Sequence, residues 1–194
     1  MSEIHPQPAP AWAVQRWFNT DRPLSIEALR GKVIVLEAFQ MLCPGCVSHG
    51  LPQALRIHQT FSSSEVAVIG LHTVFEHHDA MTPTALRAFL HEYRIPFPVG
   101  VDMPDGNGGV PQTMHAYAMR GTPTLILIDA RGRLRRQHFG SVSDLTLGAE
   151  IAELILEARA MNSGDSTISS QRAPDAPSRT SDDCAAGACP VDTK

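Results

Sequence analysis

The sequence predicts an α/β fold, a three-layer sandwich with a central mixed β-sheet and helices on both faces. Short, almost continuous apolar runs alternate with longer segments of helical spacing, which is typical of strands covered on both faces. The last two runs are joined by a tight turn at 130–133, which predicts a hairpin and hence an antiparallel strand in the sheet. With 194 residues, of which 43% are hydrophobic, the chain suits one domain of roughly 150 residues plus extensions.

The first half of the chain is built around residues 32–39, an almost uninterrupted apolar run that predicts a central strand. Ahead of it, residues 12–18 predict a strand and residues 25–30 predict a short helix. After it, residues 47–61 have helical spacing. Pro52 should kink this helix, because proline removes one backbone hydrogen bond.

The second half alternates strands and helices before it ends in the hairpin and a last helix. Thr82 and Pro83 suit a helix start, because the threonine oxygen can accept an N–H bond and proline needs no acceptor there. Either Ser143 or Asp144 is predicted to cap the last helix, which should end near residue 160. The other elements are predicted as strands at 65–73, 97–102, 124–129 and 134–139, and as helices at 82–93 and 112–119.

Both ends of the chain differ in composition from the part between them. Residues 1–11 are rich in proline and are predicted to be a disordered lead. From Met161 onward Ser, Asp, Thr, Ala and Pro dominate, so residues 161–194 are predicted to be a disordered tail. The folded domain is therefore expected at 12–160, and the tail carries a second cysteine pair, Cys184 and Cys189.

Charge and hydropathy exclude several classes of partner. The net charge is −4 and the basic residues are scattered, so no nucleic-acid partner is expected. No apolar run approaches the roughly 18 residues of a membrane helix, so no membrane partner is expected either. The first residues lack the basic and apolar regions of a secretion signal, which predicts a cytoplasmic location. There a disulfide is more often transient and catalytic than structural.

The chemistry of the chain is expected at Cys43 and Cys46, which two residues separate just after the central strand. Such a pair can close a small disulfide ring or open to a dithiol. A helix that begins there supplies unpaired N–H groups and a partial positive charge, and both stabilise a thiolate. Half of a zinc site, or two inert core cysteines, are the alternatives.

The chain resembles the thioredoxin superfamily, and within it the TlpA- and ResA-like redoxins, which are related to AhpC/TSA proteins. Three features carry the resemblance over about residues 12–160: a strand that runs into Cys-Pro-Gly-Cys, a long insertion after it, and Gly-Thr-Pro-Thr at 121–124 before a hairpin and terminal helix. The resemblance implies a thioredoxin-like fold and a thiol-disulfide oxidoreductase that needs no cofactor.

The resemblance also implies a role for each matching residue. Cys43 would be the exposed nucleophile and Cys46 the resolving thiol. Glu37 would be a buried acid that relays protons to the resolving thiol; a carboxylate in water at a strand end is the alternative. Pro123 would be a cis-proline that faces the disulfide, and Thr122 would offer backbone groups to a bound substrate.

The implied substrates are disulfides of proteins or small molecules, and a thiol or an NADPH-dependent reductase would recycle the pair. Leu42 stands where thioredoxins have tryptophan, so the substrate-facing surface should differ from theirs. Met41 and Leu42 are expected to form an apolar contact patch around the thiol.

The tail pair, Cys184 and Cys189, has three interpretations. It can be a mobile dithiol arm that relays electrons to Cys43 and Cys46, since a flexible linker of this length would allow the encounter. It can be a pair of incidental thiols. It can also complete a four-cysteine zinc site with the first pair.

Two other functions compete with disulfide exchange. A redoxin-type peroxidase places Pro and Thr seven and three residues before its reactive cysteine, where this chain has Leu36 and Gln40. A copper-delivery module resembling the Sco family places a histidine just before the late strand, where this chain has Gly-Thr-Pro. Assays of peroxide consumption and of bound metal would separate these functions from the first.

Overall fold

The computed structural model describes residues 6–168, and a seven-stranded mixed sheet lies at their centre. The strands are β1 (Gln7–Pro8), β2 (Val14–Phe18), β3 (Val33–Phe39), β4 (Val66–His72), β5 (Val99–Asp102), β6 (Thr124–Ile128) and β7 (Arg133–Phe139). Their order across the sheet is β1-β7-β6-β3-β4-β5-β2. Strand β3 runs parallel to β4 and antiparallel to β6, so the predicted mixed sheet is confirmed.

Helices cover both faces of this sheet. They are α1 (Leu51–Thr60), α2 (Pro83–Glu92), α3 (Gln112–Ala116) and α4 (Asp144–Ile168), with a 3₁₀ turn at Glu27–Leu29 and a π-helical turn at Cys46–Gly50. One face buries the apolar sides of α1, α2 and α4, and the other face buries α3 and the N-terminal segment. The predicted α/β sandwich is therefore confirmed.

Strand β3 lies in the middle of the sheet, and every one of its side chains is buried. Its side chains alternate between the faces: Val35 and Phe39 face the α1 side, and Leu36 and Ala38 face the other. Each fully buried aliphatic side chain contributes roughly 1.5–3 kcal/mol. Packing on both faces thus holds β3 in place, and the segment that follows it starts from a fixed position.

The predicted helix at 47–61 differs from the observed one in its first turn. A π-helical turn occupies Cys46–Gly50, and Pro52 then lies in the first turn of α1 rather than in a helix interior. Because N–H groups in a first turn have no partner within the helix, proline is tolerated there. The wider π-helical turn takes the place of the predicted kink.

The helix caps follow the sequence. Thr82 Oγ1 accepts the Ala85 N–H at 3.2 Å, and Ser143 Oγ accepts the Thr146 N–H at 3.1 Å. Ser143 therefore caps α4. Asp144, the other candidate, forms a surface ion pair with Arg56.

Both predicted boundaries of the domain differ from the observed ones. Residues Gln7–Pro8 pair with β7, although 1–11 were predicted as a disordered lead. The Pro10 carbonyl also accepts the Tyr117 hydroxyl at 2.7 Å, so this segment is fixed to the sheet and to α3. At the other end α4 continues to Ile168, beyond the predicted boundary at 160. The rest of the predicted tail lies outside the described residues.

None of the helices within 6–168 is both long and apolar enough to cross a bilayer. The predicted cytoplasmic location stays a prediction.

His72, the last residue of β4, is a buried histidine, and neither ring nitrogen has a hydrogen-bond partner among the described residues. Its ring lies beside Phe39, with 5.4 Å between the ring centroids. Burial lowers the pKa of His72 from 6.5 to about 4, because the charged form would lose its hydration. The folded protein therefore holds His72 neutral.

This histidine should make the fold sensitive to acid. Its folded pKa lies below its unfolded pKa, so the unfolded chain binds more protons and stability falls as the pH drops from 6.5 to 4. The shift corresponds to about 3 kcal/mol lost at the lower end. Urea unfolding of wild type and His72→Leu across this range should show a difference that grows as the pH falls. Replacing the exposed His115 with Leu is the matched control, and equal slopes for all three proteins would contradict the assignment.

Candidate active site

Cys43 and Cys46 lie where the chain leaves β3 and enters a helix. Pro44 is the first helical residue, and the Val47 N–H donates to the Cys43 carbonyl at 3.1 Å, so Cys43 occupies the N-cap position. The Cys46 N–H points at Cys43 Sγ, with 3.2 Å between nitrogen and sulfur. The sulfur thus takes the place of a capping oxygen and meets the positive end of the helix.

The two thiols differ in exposure. Cys43 is half-buried, whereas Cys46 is fully buried, and neither forms a disulfide with another residue of the described part of the chain. Burial raises the pKa of Cys46 to about 12, and its hydrogen bond with Cys43 adds to the increase. A substrate can therefore reach Cys43, while Cys46 is screened from it and stays protonated.

The loop before β6 closes over Cys43. The Thr122–Pro123 peptide bond is cis, and the Thr122 carbonyl lies 3.5 Å from Cys43 Sγ as its acceptor. A Cβ atom added to Gly45 would lie 3.2 Å from the Pro123 ring. The loop therefore packs directly on the start of the helix, and backbone groups of this loop border the reactive sulfur.

Glu37 lies in β3 with its side chain turned toward the π-helical turn. The carboxyl is almost fully buried, at 1% exposure, and its Oε1 has no hydrogen-bond partner within residues 6–168. Burial raises the pKa of Glu37 well above its ordinary value, and the nearby Cys43 raises it further. The alternative of a carboxylate in water is therefore wrong, and Glu37 is a buried proton-binding group beside the dithiol.

Gly50 makes room for that carboxyl. A Cβ at this position would overlap Glu37 Oε1 and would lie 3.0 Å from Pro123 Cβ. Only glycine lets the helix backbone approach both groups this closely. This contact was not predicted from the sequence.

Two exposed apolar side chains lie close to the site, one next to Cys43 in the chain and one beside the loop that borders it. Leu42 is 57% exposed, as its predicted place in a contact patch requires, whereas Met41 is buried in the core and does not belong to that patch. Phe139 is 47% exposed, a Cβ atom added to Gly121 would lie 3.0 Å from its ring, and the Arg120 guanidinium lies 4.9 Å from its ring centroid. The sequence did not lead us to expect Phe139 at the site. Its pairing with Thr124 in the predicted hairpin would have placed it beside the loop at 121–123.

No group of three or more His, Cys, Asp or Glu side chains within 6–168 is arranged to hold a metal ion. Cys184 and Cys189 lie outside the described residues, so the structure does not place them relative to the first pair. Of the predicted site residues, the fold brings together Cys43, Cys46 and Glu37 with the loop at 121–123.

Comparison with known proteins gives the same classification. The model of the AhpC/TSA family matches residues 6–137. A crystal structure of a thioredoxin-like superfamily protein is 64% identical, with 76% of this chain and 96% of that chain covered and a TM-score of 0.75. The crystal structure of a thiol-disulfide isomerase from Corynebacterium glutamicum is 54% identical, with the same coverage and a TM-score of 0.73.

A curated relative, Protein DipZ of Mycobacterium tuberculosis, is 30% identical over 126 residues. Those residues are 64% of this chain but 17% of DipZ, so the chain spans a small part of that protein. The family model, in contrast, covers more than half of the chain, and the two solved structures are covered almost completely. The chain belongs to the AhpC/TSA family and has the thioredoxin-like fold that its Cys-Pro-Gly-Cys turn and late Thr-Pro predicted.

Proposed function

We propose that the protein is a thiol-disulfide oxidoreductase in which Cys43 attacks a substrate disulfide and Cys46 resolves the mixed disulfide. The unequal exposure of the two thiols supports these roles most directly. Cys43 is accessible and its sulfur accepts the N–H of Cys46, whereas Cys46 is fully buried. Attack requires an accessible, stabilised thiolate, and resolution requires a second thiol that competing substrates cannot reach.

The reaction then has two steps. The Cys43 thiolate forms a bond to one substrate sulfur, and the other substrate sulfur leaves as a thiolate that takes up a proton. Glu37 next loses its own proton to water and accepts the proton of Cys46. The Cys46 thiolate then attacks Cys43 Sγ, and the second substrate sulfur leaves as a thiolate that water protonates. The substrate disulfide gains two electrons, and Cys43–Cys46 becomes the disulfide. In the opposite direction the same steps oxidise a substrate dithiol.

We further propose that protein disulfides are the substrates. Leu42 is exposed directly before Cys43, and Phe139 is exposed beside Gly121, next to the Thr122 backbone that contacts the Cys43 sulfur. This arrangement suits an extended polypeptide with an apolar residue next to its cysteine. One relative is named a thiol-disulfide isomerase, which agrees with such clients. A thiol or an NADPH-dependent reductase is the proposed source of electrons.

A peroxidase is less well supported, despite the family. Gln40, at the position of the peroxidase threonine, is buried. Its side chain accepts the Phe75 N–H and donates to Glu76, both at 3.3 Å. Leu36 lies in the core on the face of the sheet opposite to Glu37. The side chains that a peroxidase places before its cysteine are therefore replaced by structural ones.

Reduction of insulin disulfides with dithiothreitol as electron source tests the proposal. The protein should accelerate insulin reduction, and its consumption of hydrogen peroxide should stay near the uncatalysed rate. Rapid peroxide consumption without insulin reduction would favour the peroxidase instead.

The tail pair is proposed to relay electrons to the first pair. Arg159 of α4 pairs with Glu65, which precedes β4, so α4 runs toward the end of the sheet opposite to Cys43. A seven-residue strand spans roughly 23 Å, and the 16 residues from Ile168 to Cys184 reach at most about 55 Å when extended. The chain is therefore long enough for Cys184 to return to Cys43.

The double variant Cys184→Ser/Cys189→Ser should separate a relay from incidental thiols. We expect it to lose most insulin reduction when thioredoxin and its NADPH-dependent reductase supply the electrons. It should keep full activity with dithiothreitol, because a small dithiol reaches Cys43–Cys46 directly. Full activity with both reductants would show that the tail thiols are incidental.

A further inference from the structure

A cationic cavity of about 480 Å³ lies far from the cysteines. It is formed between the end of β2 and the segment that joins α2 to β5, and Asn19 ties the two together by donating to the Ile95 and Phe97 carbonyls. This segment precedes β5, whereas Cys43 follows β3. Because β3, β4 and β5 are parallel, the cavity and the dithiol lie at opposite ends of the sheet. Its volume falls in the range of small-molecule sites.

The wall of the cavity is apolar and its rim is basic. Phe18, Leu90 and Ile95 are buried side chains that form part of the wall. Arg87 and His91 share one face of α2 at i and i+4, and Arg94, just past the helix end, lines the cavity with them. The cavity therefore combines an apolar surface with a row of basic groups.

Arg16 of β2 adds a further guanidinium against a residue of the cavity wall. It lies 5.2 Å from the centroid of the Phe18 ring, and Arg87 lies 5.9 Å from it. The Phe18 ring, which lines the cavity, thus contacts two guanidinium groups. An anion bound beside this ring would offset the charge of both groups.

The chain does not neutralise these arginines within residues 6–168. Arg133, Arg135 and Arg136 of β7 all form ion pairs with carboxylates. Arg16, Arg87 and Arg94 form none there, and the carboxylate of Glu92 lies 3.4 Å from the His91 ring. Three arginines without an ion pair among the described residues therefore lie at or beside this cavity, in a protein of net charge −4.

The backbone of Arg94 adds a second, independent observation. Tyr93 is the C-cap of α2, and the Ile95 N–H donates to the Leu90 carbonyl at 3.0 Å, which closes the helix end. In this motif the residue after the C-cap has a positive φ and is usually glycine. Arg94 has a φ of 52°, so a long basic side chain occupies a position where glycine is favoured. Packing within the described chain does not account for it, because Arg94 is exposed.

We propose that this cavity binds a small amphiphilic anion. The phosphate or carboxylate head would contact the guanidiniums of Arg16, Arg87 and Arg94, since a planar guanidinium matches two oxygens of such a group. The apolar body of the ligand would cover Phe18 and Leu90. A bare inorganic anion would leave that wall in contact with water, so an attached apolar chain should strengthen binding.

Titration calorimetry on the full chain tests this with decyl phosphate, used below its micelle concentration. Decyl phosphate should bind at least about tenfold more tightly than inorganic phosphate, because only it covers the apolar wall. Arg87→Gln and Arg94→Gln should each weaken decyl phosphate binding by at least about tenfold. Arg131→Gln, which removes an exposed arginine elsewhere, should leave it unchanged. Decyltrimethylammonium, with the same chain and the opposite charge, should not bind.

The Arg94→Gly variant tests whether Arg94 binds a ligand or only stabilises the C-terminal end of α2. Glycine relieves the positive φ, so this variant should melt at a higher temperature and yet lose decyl phosphate binding. If Arg94 serves only the helix end, Arg94→Gly will change the melting temperature and leave the affinity intact. Insulin reduction should stay at the wild-type rate in each variant, which confirms a folded protein.

Binding to vesicles tests whether the protein recognises a lipid surface instead of a dissolved ligand. Binding to phosphatidylglycerol vesicles but not to monomeric decyl phosphate would overturn the cavity site in favour of a lipid surface. Equal affinity for decyl phosphate and inorganic phosphate, or no binding to either, would also overturn it.

Discussion

Replacing Cys43 with serine should abolish disulfide reduction, with a loss of roughly 10³-fold or more. The hydroxyl is isosteric with the thiol and can still cap the helix, so the fold should survive. It does not ionise near neutral pH, however, and cannot form a mixed disulfide. Insulin reduction measures the activity, and circular dichroism with a thermal melt confirms the fold.

Replacing Cys46 with serine should stop the reaction one step later. Cys43 can still attack, but the buried partner that would release the product is gone. The mixed disulfide between Cys43 and the substrate should therefore accumulate, and mass spectrometry under non-reducing conditions detects it. The same covalent species should be absent from Cys43→Ser, which makes the two variants controls for each other.

Alkylation provides an outcome that could contradict both expectations. Iodoacetamide should modify Cys43 in the native protein and Cys46 only after unfolding, because Cys46 has no exposed area. If both thiols resist alkylation in the native protein, or if Cys46 reacts first, the proposed order of attack is wrong.

The arrangement of the dithiol could be read from the sequence because its determinants are local. A buried strand, two cysteines and a helix start follow one another along the chain, and the helix end supplies the electrostatic reason for a thiolate. The contact of Cys43 with Thr122 spans 79 residues and is not a local property. Only the resemblance to a family predicted it.

Glu37 and Gly50 show where a sequence pattern is insufficient. A glutamate inside an apolar strand is compatible with a buried carboxyl and with a carboxylate in water, and the choice depends on what covers the strand end. Here the backbone at Gly50 covers it, in a π-helical turn. A helix start containing Gly50 and Pro52 predicts a break but gives no register, so it did not pair Gly50 with Glu37.

The first residues of the chain give a related lesson. Proline-rich composition predicts disorder because little apolar surface can be buried. Gln7–Pro8 nevertheless extends the sheet, since edge pairing with β7 uses backbone groups and needs no apolar side chain. Composition carries no signal for a contact of this kind.

Glu37→Gln should slow turnover by roughly 10²-fold, the lower end of what general acid–base catalysis contributes. The amide has the size of the carboxyl but cannot accept the Cys46 proton, so the resolving step should slow while the first attack does not. Steady-state insulin reduction measures the loss. The rate of Cys43 alkylation by iodoacetamide should stay at the wild-type value and locates the defect after the attack. Glu153→Gln, a glutamate exposed on α4, is the matched control.

Glu37→Gln should also stabilise the protein. The pH dependence of this gain tests whether the buried carboxyl of Glu37 is its cause. The folded pKa of Glu37 lies above its unfolded value of 4.5, so the folded state holds a proton that the unfolded chain releases. Stability therefore falls as the pH rises above 4.5, and Gln removes this loss. Urea unfolding should show Glu37→Gln more stable than wild type at pH 8, with a difference that shrinks toward pH 4.5. Unchanged turnover together with a pH-independent difference in stability would remove Glu37 from the proton route and leave it a structural residue beneath Gly50.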